Sequence, residues 1–87
     1  MNPLDRAVAI FDSQAALARA MGGLPQEIHR WIKRGWVPAN RCQAVVAAVN
    51  KELPSAMQRG LVPEIARPLT LHELNSVFPP PQEREAV

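Results

Sequence analysis

The sequence predicts an all-α fold, a compact bundle of five to six short helices. Three observations carry that reading. Apolar residues recur at helical spacing, with no convincing strand alternation and no internal repeat. Helix caps and stops punctuate the chain in the right places. Aromatics are also scarce, only Phe11, Trp31, Trp36 and Phe78 with no tyrosine, so the core must rest on Ala, Val, Leu, Ile and Met. Such a composition favours packed helices over sheets. Eighty-seven residues, 47% of them apolar, are enough for one globular domain and too few for two.

Pro3 suits the first turn of a helix running to about residue 11, with Leu4, Val8 and Phe11 on one face. Asp12 and Ser13 break it, and either can cap a second helix from Gln14 to about Met21, whose inward residues are Leu17, Ala18 and Met21. Gly22 and Gly23 form a tight connection, with glycine supplying the left-handed conformation that ends a helix. Pro25 then opens a third helix to about Arg34, with Ile28, Trp31 and Ile32 as its buried stripe, and Gly35 closes it.

After Trp36-Val37-Pro38, a fourth helix is expected from about residue 39 to 50. Its face is Cys42, Val45, Val46 and Val49, continued by Leu53. Residues 54–59 suggest a separate short helix ended by Gly60, and 61–68 an irregular stretch. Thr70-Leu-His-Glu73 matches a capping box ahead of a last helix to about residue 77, which Pro79-Pro80-Pro81 stops. One domain over 1–78 and a flexible Pro-rich tail over 79–87 follow.

Composition narrows the function. A single cysteine excludes an internal disulfide framework, and no second thiol or histidine pair has metal-ligand spacing. Nothing resembles a signal peptide, and no stretch approaches the ~18 apolar residues of a membrane span. A cytoplasmic location is expected, with no membrane partner. There is no glycine-rich phosphate loop and no serine beside a base and a carboxylate. The chain is therefore expected not to be an enzyme, and to need no cofactor, metal or small-molecule ligand.

The net charge of +2 is unevenly spread. Residues 1–49 hold six Lys/Arg against three Asp/Glu, and residues 50–87 hold four against five. Between Glu27 and Glu52 lie Arg30, Lys33, Arg34, Arg41 and Lys51 with no acid among them. That suits a polyanionic partner, although a solvated charged face has the same composition.

Residues 14–34 hold the discriminating pattern. Ala18 is small where two helices must cross, Gly22 permits the reversal, and residues 17, 21, 28 and 31 fix the second helix on the first. Its other face is left free to enter a groove. The run from Ser13 to Cys42 (SQAALARAMG, then PQEIHRW, then VPANRC) resembles the Cro-like, YdaS-type regulators of phages and prophages. Leu71-His72-Glu73-Leu74 and Phe78-Pro79-Pro80 are similar to that family's terminal helix and tail, and 51–68 looks like an insertion. Gly23 and Leu24 stand where such proteins carry a branched apolar residue and a capping serine or asparagine.

The resemblance implies a helix-turn-helix of the lambda-repressor-like DNA-binding type, and a repressor of double-stranded DNA targets. Gln14 would then donate to a phosphate at a helix N-terminus. Gln26, Glu27, His29 and Arg30 would face the groove floor, Gln pairing with adenine, Arg with guanine and Glu with cytosine. Lys33, Arg34 and Arg41 would hold phosphates. Glu27 has a second reading as a partner of the helix dipole, and Trp36 as either a core lid or a backbone flank. Trp31 and Cys42 read as packed, His72 as solvated.

Two other readings are open. Arg30-Trp-Ile-Lys-Arg-Gly-Trp-Val-Pro38 resembles an excisionase or MerR-like winged helix, which requires a strand-rich wing next. A helical protein–protein module, such as an antitoxin, would use the fourth helix and residues 53–62. A homodimer is expected for DNA binding, since one recognition helix spans few base pairs, with 51–78 as its interface.

Overall fold

A computed structural model describes residues 2–80, and among them five helices and no strand. Helix α1 spans Pro3–Phe11, α2 Gln14–Met21, α3 Pro25–Arg34, α4 Ala39–Gln58 and α5 Leu71–Val77. The all-α reading and the helices containing positions 3, 14, 25 and 71 agree with the sequence signals. Local chemistry explains each start. Asn2 accepts the Asp5 N–H at 2.7 Å, Ser13 the Ala16 N–H at 3.0 Å, and Thr70 the Glu73 N–H at 3.0 Å. Of the two residues able to cap α2, Ser13 does so, while Asp12 takes the left-handed conformation that ends α1. Gly22 ends α2 with φ 73°, a backbone conformation that a Cβ would strain.

Three expectations are corrected. Helix α4 does not end near residue 50 but runs on through Pro54 to Gln58, and no separate helix occupies 54–59. Leu53 and Ala56 extend the stripe of Cys42, Val45 and Val49, and all five are buried. Their burial offsets the hydrogen bond that proline cannot donate. On α1 the buried face is Leu4, Ala7 and Ile10, with Val8 and Phe11 only packed at its margin. Only the threonine half of the capping box at α5 forms, because the Glu73 carboxylate binds arginines instead.

The core lies where α4 packs on α1, α2 and α5, and α1 also touches α2 and α5. Helix α3 has α2 as its main helical neighbour, onto which Ile28 and Trp31 are buried. Residues 61–70 are irregular, yet Ala66 and Leu69 are buried with Leu74 and Phe78. Pro80 is buried too, and the remainder of the expected tail, 81–87, lies outside the described residues.

Polar anchors secure this irregular segment. Arg6, only 3% exposed, donates from Nη1 to the carbonyls of Arg67 (2.6 Å) and Ile65 (3.3 Å), and from Nη2 to Glu73 Oε1 (2.7 Å). Arg67 reaches Glu73 Oε2 at 3.1 Å. Asn50 pairs with the Leu69 backbone in both directions, at 3.0 and 2.9 Å. Arg59 binds Glu52 at 2.9 Å and donates to the Ile10 carbonyl, tying the end of α4 to α1. Replacing Arg6 by methionine should cost about 2–4 kcal/mol, because two carbonyls and half of an ion pair lose their donor. Urea denaturation would register the loss, and amide exchange should quicken over 61–70; an unmoved midpoint would contradict this role.

Candidate nucleic-acid interface

Helix α3 divides its residues cleanly. Ile28 and Trp31 are buried and Ile32 is half-buried, whereas Gln26, His29, Arg30, Lys33 and Arg34 are exposed. Those five polar residues line one open depression of about 510 Å³ on the outer side of the helix. Five of the eight residues singled out in the sequence thus share one surface. Arg30 and Lys33 pair with no carboxylate among the described residues. The Arg34 guanidinium is held below its ordinary pKa by desolvation and by the charge of Arg30.

The other three residues stand apart. Gln14 is the first residue of α2 and half-buried. Glu27 and Arg41 face each other across the starts of α3 and α4, with Arg41 Nη2 3.6 Å from Glu27 Oε2. Glu27 also accepts the Leu24 N–H through Oε1 at 2.9 Å. Of its two readings, the helix-start one is therefore occupied in this structure: the carboxylate binds the first turn of its own helix and a neighbouring cation.

Gly23 and Leu24 now find a physical reason. Leu24 is the N-cap residue of α3, has no acceptor of its own, and is 63% exposed. Glu27 supplies the other half of a capping box, its carboxylate accepting the N–H of Leu24 itself. A Cβ on residue 23 would lie 2.6 Å from Glu27 Oε1, so glycine there leaves room for the carboxylate. Sequence reasoning noted both residues but not their connection, which the i, i+3 spacing of Leu24 and Glu27 carried.

The structure gives Trp36 a further contact. It is half-buried and stands outside the apolar cluster of the described residues. Its ring is covered by Arg34, whose guanidinium carbon lies 3.3 Å from the ring centroid. Trp31 and Cys42 are buried and His72 is exposed, as expected.

A tightly turned pair of helices, the second presenting a cationic face, is thus built on a small α-helical core. A family model described as "Bacterial toxin YdaS" matches residues 4–59, and the chain belongs to that family. The match takes in α1 to α4 and stops before the irregular segment and α5. No curated protein and no solved structure gives a significant match. Among the described residues no helix is long and apolar enough to cross a membrane, and no three His, Cys, Asp or Glu residues are grouped to hold a metal.

Glu27→Ala should destabilise the fold by about 0.5–2 kcal/mol, the range for a lost N-terminal cap. Gly23→Val should cost a similar amount by displacing the same carboxylate. The double variant should then be little worse than either single one, and fully additive losses in thermal or urea denaturation would disprove the link.

Proposed function

We propose that this protein is a sequence-specific double-stranded DNA-binding regulator of the Cro-like type, a repressor of phage or mobile-element origin that inserts α3 into the major groove. The observation that carries this reading is the exposed face of Gln26, His29, Arg30, Lys33 and Arg34, on a helix whose opposite edge is buried. Helix α2 packs against α3 and Gly22 ends α2 ahead of the turn, which supports a pairing whose second helix docks in the groove. Where the winged-helix reading requires strands after Val37, α4 begins at Ala39.

In this function Gln26 and Arg30 read base edges, with adenine and guanine as their natural partners, and His29 contacts a base or phosphate. Lys33 and Arg34 bind phosphates, and Gln14 donates to one at the start of α2. Glu27 and Arg41 brace the reading helix, and Arg41 can turn to a phosphate if its ion pair opens. No catalytic group, cofactor or metal is required, and the setting is the cytoplasm. Two copies related by a two-fold axis place half-sites about 34 Å apart. Residues 51–78 supply the pairing surface, where Met57, Val62, Leu71 and Val77 are exposed. Sedimentation showing a monomer at high concentration would remove the dimer.

The description of the family as a toxin favours a second reading, a helical protein that acts on or with a protein partner in a toxin–antitoxin pair. Salt separates the two. Duplex binding should weaken steeply as salt rises, because bound phosphates release counterions, whereas an apolar contact responds little.

Selection of duplexes from a random pool should return a defined, two-fold symmetric site. On that site Arg30→Ala should relax preference at one base position and cost ~1–3 kcal/mol there. Lys33→Ala should weaken all sequences alike and lower the salt slope by about one. Failure to enrich any duplex at low salt, or equal salt-insensitive effects of both variants, would end this reading.

A further inference from the structure

Trp36 lies on the connector between α3 and α4, and its large apolar ring is not spent on the core cluster. Its face instead carries the Arg34 guanidinium at 3.3 Å, and Arg34 Nε donates to the Trp36 carbonyl at 3.4 Å. One tryptophan thus holds the arginine at two points, ring and backbone. Neither contact neutralises the charge, and the Nη atoms make no hydrogen bond or ion pair among the described residues. Arg30, one turn earlier on the same exposed side of α3, adds a second positive charge; desolvation and then this charge lower the pKa of Arg34. Two cations lining one open depression with no carboxylate among its lining residues form a place where an anion relieves repulsion.

We propose that Trp36 is a positioning residue for phosphate binding: its indole face presets Arg34 so that the free Nη edge meets a backbone phosphate of the duplex. This rests on the DNA-binding reading above and adds a residue to it. The physical gain is entropic. A free arginine surrenders rotamer freedom when it grips a phosphate, whereas a stacked one has surrendered it on folding. Lysine in place of Arg34 keeps the charge but lacks the flat surface for stacking and the fork for two parallel hydrogen bonds.

The test titrates a short mixed-sequence duplex at several salt concentrations with wild type, Trp36→Ala, Trp36→Phe, Arg34→Lys, Arg34→Ala and the double Arg34→Ala/Trp36→Ala variant. Trp36→Ala should bind about 2- to 5-fold more weakly, the range for an exposed cation–π contact. Its salt slope should be that of wild type, since no charge is lost. Trp36→Phe should recover much of the affinity, and Arg34→Lys, which changes only an exposed side chain and does not depend on Trp36→Ala folding, should bind as weakly as Trp36→Ala. Arg34→Ala should reduce the slope by about one, and in that background Trp36→Ala should cost nothing further. An equal cost of Trp36→Ala with and without Arg34, or wild-type binding by Arg34→Lys, overturns the positioning role while leaving duplex binding intact. Absence of salt-dependent binding by the wild type overturns both.

Discussion

The surface of this protein depends on how narrowly α3 is attached. Ile28 and Trp31 bury one edge of the helix on α2, and Ala18 is small enough to let the two helices come together. Gly22 makes the reversal that puts them in contact. With so little of its circumference used for packing, α3 keeps its polar residues in solvent. A wider apolar stripe would have sunk Arg30 or His29 into the core; a narrower one would have left the helix without tertiary support, which a ten-residue helix requires.

The local parts of this arrangement were legible in the sequence because their causes are local. Caps at Ser13 and Thr70, prolines at 3 and 25, and glycines at 22 and 35 act within a turn or two of themselves, so these helix limits follow from neighbours, whereas the Asn2 cap emerged only in the structure. The exposed face of α3 was legible for the same reason. Pro54 misled because its local penalty is real, yet it is outweighed by the burial of Leu53 and Ala56 against elements far along the chain. Arg6 was invisible: an arginine in the first helix reads as solvated, and its partners lie 59 to 67 residues away. No spacing rule reaches that far.

The same distinction applies to charge. A net charge of +2 says little, but the carboxylates of Glu27, Glu52 and Glu73 are each committed to arginines at 41, 59, and 6 and 67. Structural ion pairs thereby absorb four arginines outside α3 together with these three acids. Arg30, Lys33 and Arg34 stay outside these pairs on the exposed side of α3, so that surface is more basic than the chain as a whole.

Glu27 shows how stability and recognition constrain each other at this face. If α3 reads DNA as proposed, a free carboxylate in its leading turn would repel phosphates, yet removing it would leave the Leu24 N–H without its acceptor. The structure meets both demands at one residue. The carboxylate turns inward to the Leu24 N–H, Arg41 offsets its charge, and Gly23 provides the space. Residues 23, 24, 27 and 41 therefore meet at one point, the start of α3. Capping from inside the helix also frees the side chain of Leu24, which stands exposed just ahead of Gln26 at the end of α3 that would enter the groove first.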